Sequence, residues 1–382
     1  MKILSIETSC DETAVSIIEA TGDLTSPTFT VLGDGLFSQA HLHAEYGGVF
    51  PLLAKREHSK NLIPMLDIAL SKGNMKKENK KTLSKADEET LTGLLEREPE
   101  LLKQYLEFIP NIEKPEVDLI SVTQGPGLTP ALWVGLNFAK ALALSWNIPI
   151  VPVNHMEGHI VSVLENKKNI TLPAIALLIS GGHTQIVHIE NWGTYKVTGE
   201  TRDDAVGEAF DKVARMIGLS YPGGPEISKL AEEAREQNQT YDFSLPRPMI
   251  YNDDIDFSFS GLKTAVRRLI DGKEMTIDFQ RAISLEFENA VTEVLLKKTL
   301  KAIENTNAHS LIIAGGVSAN IHIQKTFIEN CKKENITLYL PQKGLSGDNS
   351  IMIGMAGYFT FLRQKKAVDP LTIKAIGNLR LS

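Results

Sequence analysis

Two histidines four residues apart are the first residues in this chain with an evident chemistry. In Asn154-His-Met-Glu-Gly-His159, positions 155 and 159 fall on one face of a helix, so His155 and His159 can share a metal ion. The spacing differs from the H-E-x-x-H helix of a zinc peptidase. Glu157 follows His155 by two residues, roughly 200° around the helix, and points away from any metal held by the pair. Two imidazoles need a third ligand. The best acid is Asp348 in Ser346-Gly-Asp-Asn-Ser350, at the start of an apolar helix, where the plainer role is an N-cap. For the histidines, the plainer role is that of two satisfied polar residues near a domain junction.

Glycine pairs supply a second chemistry. In Leu178-Ile-Ser-Gly-Gly-His-Thr-Gln-Ile-Val187, Gly181-Gly182 lets the backbone approach a phosphate, and Ser180 and Thr184 add hydroxyls. Alone, it is an ordinary hairpin turn. Gly223-Gly224 precedes Pro225, and Gly315-Gly316 precedes Val-Ser-Ala-Asn320, each at a helix start; Ser318 is the expected N-cap of the second. Three such pairs in one chain favour a nucleotide site. Asp211 either accepts from a ribose hydroxyl or pairs with Lys212 or Arg215. Asp11 and Glu12 are placed to ligate a metal, act as a base or cap their turn. His41 and His43, two apart, read as substrate-side or structural.

The elements that must carry these residues alternate between short apolar runs and longer helical patterns, the mark of an α/β chain. Strands are expected at 2–6, 13–19, 29–33, 118–123, 149–153, 174–180, 185–189, 194–198, 310–314 and 337–340. Helices are expected at 51–71, 130–146, 154–165, 204–217, 225–237, 260–270, 277–305, 318–333 and 348–364. Ile6-Glu-Thr-Ser-Cys-Asp-Glu-Thr-Ala-Val-Ser-Ile17 repeats the strand–turn–strand plan of 178–187, which predicts a duplicated lobe with a cleft between the copies. The lobes are expected at 1–165 plus 345–382 and at 166–344. Residues 72–116 carry 19 charges in 45 positions, including Lys80 and Lys81, and read as a solvated insertion or a docking surface, with short helices near 91–95 and 101–108.

Composition narrows the function. The 382 residues hold 40 Lys and Arg against 47 Asp and Glu, a net charge of −7, so a nonspecific nucleic-acid coat is excluded and RNA contact needs a local patch or a partner. Two cysteines, Cys10 and Cys331, exclude a disulfide framework and fit a reducing compartment. No apolar run approaches the roughly 18 residues of a membrane span. The strand-like Ile3–Ile6 directly after Lys2 leaves no room for a leader. A cytoplasmic protein is expected.

The motifs together resemble the TsaD family, the tRNA adenosine threonylcarbamoyltransferases. Residues 6–13, Glu45-Tyr-Gly-Gly-Val49, Gly125-Pro-Gly-Leu128, 154–159, 180–184, Gly207-Glu-Ala-Phe-Asp-Lys212, Tyr221-Pro-Gly-Gly224, Asp256-Phe-Ser-Phe-Ser-Gly-Leu-Lys263, 314–320 and Asp348-Asn349 occur in family order. The resemblance covers residue 1 to about 360 except the charged insertion; Gly347 and Ser350 are small departures that keep the Asp348 carboxylate. It implies an actin-like, sugar-kinase-like (ASKHA) fold of duplicated RNase H-like lobes. It implies transfer of threonylcarbamoyl from threonylcarbamoyl-adenylate to N6 of the adenosine 3′ of the anticodon in ANN-decoding tRNAs. By the same resemblance, iron or zinc is held by His155, His159 and Asp348, and the adenylate by Leu178, Ile179, Ser180, Gly181, Gly182, Asp211, Gly224 and Asn320. Implied partners are tRNA and, as in bacterial members, an inactive paralogue and a small ATPase; a homodimer is the mitochondrial mode.

Within that scheme Glu12 or Asp11 is the expected base. Arg56, Lys60, Arg247, Lys263, Arg267 and Arg268 are the basic residues expected nearest to RNA. Three rivals remain at this stage. A metallopeptidase lacks a placed base, a kinase or ATPase on the same fold would not need the two histidines, and a scaffold subunit would not need all three metal ligands.

Overall fold

Ten short runs rich in Ile, Val and Leu form the strands of the computed structural model, which describes residues 1–79, 83–165, 170–366 and 368–381. They are β1 (Lys2–Glu7), β2 (Glu12–Thr21), β3 (Thr28–Ser38), β4 (Leu119–Gly125), β5 (Ile150–Asn154), β6 (Ala174–Ile179), β7 (Thr184–Asn191), β8 (Thr194–Glu200), β9 (Ser310–Ala314) and β10 (Thr337–Tyr339). The helices are α1 (Ala40–His43), α2 (Pro51–Lys72), α3 (Lys85–Leu95), α4 (Pro99–Phe108), α5 (Thr129–Trp146), α6 (His155–Val161), α7 (Val206–Met216), α8 (Gly223–Glu236), α9 (Ser260–Ile270), α10 (Ile277–Thr306), α11 (Ile321–Lys333) and α12 (Ser350–Gln364). Each expected strand and helix has its counterpart. Lys80 and Lys81 of the charged segment, and residues 166–169 at the expected lobe boundary, lie outside the described residues.

Two units make up the chain. The described residues of Met1–Ala40, Val49–Asn169 and Asp348–Leu381 form the first, and those of His41–Gly48 and Ile170–Gly347 the second. The first holds a five-stranded sheet in the order β3-β2-β1-β4-β5, antiparallel across β3, β2 and β1 and parallel from β1 through β4 to β5. The second repeats it as β8-β7-β6-β9-β10 with the same directions. One such sheet is RNase H-like, and two in one chain are the actin-like, sugar-kinase-like plan.

In the first unit, Leu4, Ile6, Val15 and Ile17 alternate along β1 and β2 and join α2 and α5 in one core. The opposite sheet face receives α12. Its Gly354 and Gly357 bring the helix close: a Cβ at Gly354 would stand 2.8 Å from Ile18, and one at Gly357 would stand 2.4 Å from Ser121. The run Ser350–Thr360 is buried throughout, which fixes the start of α12, and with it Asp348, against the sheet. In the second unit, Ile175, Leu177 and Ile179 of β6 pack on α7, α9 and α10. The α10 stripe of Ile283, Phe287, Val291, Val294, Leu295 and Ile303 is buried as its spacing predicts. Full burial of each such side chain contributes about 1.5–3 kcal/mol.

Candidate metal centre and phosphate cradle

Asn154 ends β5 and caps α6, its Oδ1 accepting from the Met156 and Glu157 amides at 2.9 and 3.4 Å. The cap starts the helix at His155, so the two imidazoles meet edge to face one turn apart, with ring centroids 4.7 Å apart and planes at 82°. Asn349, not Asp348, caps α12: its side chain accepts from the Met352 amide at 2.9 Å. With the capping role taken by its neighbour, Asp348 turns to the histidines. Its Oδ1 lies 3.4 Å from His155 Nε2 and 3.2 Å from His159 Nε2.

These residues fit a metal. One donor atom from each of His155, His159 and Asp348 lies within 4.8 Å of the other two. Both His159 nitrogens are buried without a hydrogen-bond partner among the described residues, although Nε2 faces the Asp348 carboxylate. Donors that converge without bonding one another suit a cation between them. Glu7, absent from the residues that the sequence reading assigned to chemistry, completes the arrangement. Its Oε2 accepts from His155 Nδ1 at 3.1 Å and from Thr123 Oγ1 at 2.6 Å, and its Oε1 accepts from the Ser9 amide. With Nδ1–H directed at Glu7, Nε2 is the nitrogen that would give its lone pair to a metal in place of a proton. Burial alone would lower the His155 pKa, but Asp348 and Glu7 hold it well above the usual histidine range. Burial would raise Asp348; His155 and His159 keep it well below the usual carboxylate range.

The β1–β2 turn carries Asp11 and Glu12. His58 of α2 braces it, with Nε2 donating to the Cys10 carbonyl at 3.0 Å and Nδ1 2.8 Å from the Thr13 hydroxyl. Glu12 accepts from Ser38 Oγ at 3.1 Å. Burial, then the charges of Asp11 and Asp348, push the Glu12 carboxyl well above its ordinary value. Glu157 is engaged elsewhere, its Oε1 lying 2.8 Å from Arg363.

In the second unit a cavity of about 800 Å³ is lined by Gly181, Asp211, Gly224 and Asn320 of the expected residues. Leu178 and Ile179 stand inside β6, fully buried, and hold the turn in place. Ser180 Oγ accepts from the His183 amide at 3.0 Å and closes the turn. Asp211 accepts from the Gly223 amide at 2.7 Å and so fixes the start of α8; Lys212 turns instead to Asp204 and Glu208. Asn320, rather than Ser318, caps α11, because residues 316–319 first complete a 3-10 turn. Its amide also donates to the buried Glu288 at 2.6 Å, and Glu288 pairs with Arg235 at 2.6 Å.

The glycines fall into two kinds. A Cβ at Gly207 would meet the Ser180 carbonyl at 2.7 Å, and one at Gly223 would meet Ala214 at 2.4 Å, so these glycines serve close packing. A Cβ at Gly181, Gly182, Gly224 or Gly316 would meet no described atom within 4 Å. That is a cradle with room for a ligand. The sequence reading missed the acids Glu232, Glu233 and Glu236 on the cavity wall; their signal was position, two to four turns along the helix that Gly223-Gly224 opens.

Of the six basic residues expected nearest to RNA, four are committed. Arg56 and Lys60 pair with Glu57, Lys263 with Asp204, and Arg247 with Glu286 and Glu293. Arg267 and Arg268, exposed on the last turn of α9, have no ion-pair partner among the described residues. No helix among the described residues is long and apolar enough to cross a membrane.

A duplicated RNase H-like chain with a His-His-Asp triad in one unit and an open glycine cradle in the other belongs to the actin-like class. A family model described as TsaD, tRNA N6-adenosine threonylcarbamoyltransferase, matches residues 30–83 and 92–355, and the chain belongs to this family. A protein of that name from Polynucleobacter necessarius subsp. necessarius (strain STIR1) is 40% identical over 373 residues, 95% of this chain and 93% of the relative. Another from Nitrosomonas eutropha (strain DSM 101675 / C91 / Nm57) is 38% identical over 384 residues, 99% of each. Among solved structures, T. kodakarensis HypF is similar in fold with a TM-score of 0.50 at 13% identity, over 70% of this chain and 44% of that one. The match corrects the extent of the insertion. Most of the charged segment aligns with the family, and only residues 84–91 fall between the matched ranges.

Proposed function

We propose that this chain transfers the threonylcarbamoyl group from threonylcarbamoyl-adenylate to N6 of the adenosine 3′ of the anticodon in ANN-decoding tRNAs, releasing AMP. The observation that supports the reading is the similarity, over nearly the whole chain, to relatives named tRNA N6-adenosine threonylcarbamoyltransferase. In the step, N6 attacks the carbamoyl carbonyl carbon, the bond from that carbon to the phosphate oxygen breaks, and AMP leaves with the electron pair. AMP is a good leaving group from a mixed anhydride. The enzyme's task is therefore to orient a weak aryl-amine nucleophile and to take its proton.

Each unit supports part of that task. The amides of Gly181 and Gly182 take the phosphate, and Asp211, Gly224 and Asn320 hold the nucleoside of the adenylate. Glu12, with Asp11 beside it, accepts the N6 proton; a carboxyl raised by burial is the stronger base once ionised. Iron or zinc held by His155, His159 and Asp348 would supply Lewis-acid polarisation of a substrate oxygen. Glu7 fixes the tautomer and aim of His155. tRNA, the inactive paralogue and the small ATPase are the proposed partners, in the cytoplasm. Arg267 and Arg268 are the proposed RNA contact, and with a net charge of −7 the tRNA affinity of the chain alone should be weak and salt-dependent.

The test is a single-turnover assay with threonylcarbamoyl-adenylate and an unmodified ANN-decoding tRNA, with and without the partners, and with His155→Ala as control. Modified adenosine that His155→Ala fails to make supports both the transfer and the metal. Product only with partners makes the chain one subunit of a complex. No product under any condition, with metal and nucleotide bound, overturns the reading.

A further inference from the structure

A second cavity, of about 510 Å³, opens in the first unit and shares no residue with the metal triad. Its walls come from α2 through Lys55, from the turn between α3 and α4 through Arg97 and Glu98, and from α5 through Trp133, Asn137 and Lys140. Lys140 is the anomaly. It is 4% exposed, its ammonium lies 5.1 Å from the centroid of the Trp133 ring, and it has no hydrogen bond or ion pair among the described residues. Of the two acids in the same wall, Glu96 is exposed at the rim and Glu98 is buried, and neither pairs with Lys140. Glu98 is 2% exposed and already takes Lys55 at 3.2 Å and the Asn137 amide at 3.4 Å. One carboxylate has two partners while the ammonium has only the face of an indole.

The stem of Lys140 is buried and its ammonium opens only onto this cavity's solvent, without a counter-charge. Burial lowers the Lys140 pKa, and no carboxylate offsets it. Lys140 thus faces the cavity with no carboxylate paired to it. We propose that this cavity binds a small organic anion, a carboxylate or phosphate on a flat apolar body, with the anionic group on Lys140 and the body against Trp133. The volume suits a ligand of that size. Asn137 offers its second amide hydrogen, and at the rim the exposed Arg97 offsets the exposed Glu96.

The test uses the full-length protein with 15N-labelled tryptophan. Of its three indole resonances, that of Trp133 is assigned by Trp133→Phe. Benzoate and phenyl phosphate are titrated, with neutral benzamide as the isosteric control. Saturable movement of the Trp133 resonance by either anion but not by benzamide supports the site, and the tighter of the two identifies the anionic group. Lys140→Met should weaken binding at least about tenfold, the value of a charge-assisted contact. Its Tm should be unchanged, since Met keeps the buried stem and no bond of the ammonium is lost. The proposal is overturned if neither anion binds at tens of millimolar, if benzamide binds as well as benzoate, or if Lys140→Met binds as tightly as the parent. A fall of several degrees in Tm for Lys140→Met would equally overturn it, by making Lys140 a structural brace on Trp133. The comparison of anion with benzamide is read on the parent protein, where an anion that binds no better than benzamide overturns the proposal whether or not Lys140→Met folds.

Discussion

The two units build the same sheet and use the same two loops, yet one pair of loops is filled and the other is open. In the first unit, the loop from β4 to α5 contains Gly125 and Gly127. A Cβ at Gly125 would collide with Ile376 at 1.9 Å, one at Gly127 would meet Ser9 at 2.6 Å, and the Gly127 amide bonds to the Gly377 carbonyl at 3.0 Å. In the second unit, the equivalent loop after β9 contains Gly315, at φ 93° against the Ile179 carbonyl, and then Gly316, which faces open space. The hairpins differ in the same sense. The turn after β1 carries Glu7, Ser9, Asp11 and Glu12, whereas the turn after β6 carries Gly181 and Gly182. A duplicated fold thus presents the same backbone positions twice. Side chains occupy them in one copy, beside the His155–His159–Asp348 cluster, and are deleted in the other, at the cavity.

The comparison breaks most sharply at the triad. Asp348→Asn or His159→Ala should lower transfer by at least about a hundredfold, and metal content by elemental analysis should fall with it. An active Asp348→Asn protein that keeps its metal would show that the filled copy is structural. Glu7→Gln sharpens the same point more gently. It leaves the three ligands in place but removes the carboxylate that aims His155, and metal affinity should fall about ten- to a hundredfold by competition with a chelating dye. Unchanged affinity would make Glu7 a support for Thr123 and Ser9 alone.

The open copy is tested by adding methyl groups. Gly207→Ala puts a Cβ 2.7 Å from the Ser180 carbonyl, a backbone atom that must shift, and should cost about 1–3 kcal/mol by urea unfolding. Gly224→Ala adds the same atom to the cavity and should leave stability unchanged while weakening adenine-nucleotide binding in calorimetry. If the two variants exchange these phenotypes, the division into packing and cradle glycines is wrong.

The sequence carried most of this arrangement because periodicity and turn chemistry are local. Every strand and long helix was legible, and the His155–His159 face followed from helical spacing alone. Capping was the local feature that misled. Ser318 and Asp348 were natural caps by residue type, but Asn320 and Asn349 perform the role, and only backbone geometry says which neighbour wins. That exchange matters, since it frees Asp348 for the histidines. Glu7 was invisible as a functional residue because it sits 148 positions from His155 and reads as one more strand residue. The Arg235–Glu288–Asn320 chain was hidden likewise, by separations of 32 residues and more.

The smallest expected effect separates the units by the sign of a titration. His155 is surrounded by carboxylates, so its folded pKa is raised; without metal, its contribution to stability is full below the unfolded value and lost as pH rises through the folded one. His322, on the wall of the open cavity, has the opposite sign. Burial, with Arg235 and Lys325 nearby, lowers it to about 4 despite Glu232. The unfolded chain takes up its proton near 6.5 and the folded chain only near 4. Stability from the neutral imidazole is therefore whole above about pH 6.5 and falls away between 6.5 and 4. His322 is half-buried, so solvent screening should hold the loss below about 1 kcal/mol. Urea unfolding at pH 7.5, 6 and 5 should show it as a shallow decline that His322→Gln flattens. A His322→Gln protein with the same slope as the parent would move that proton uptake elsewhere and leave the open copy without a titrating wall. A flattened slope would give the cavity one property that the filled copy has in reverse: it keeps its histidine neutral because burial and the charges of Arg235 and Lys325 outweigh Glu232.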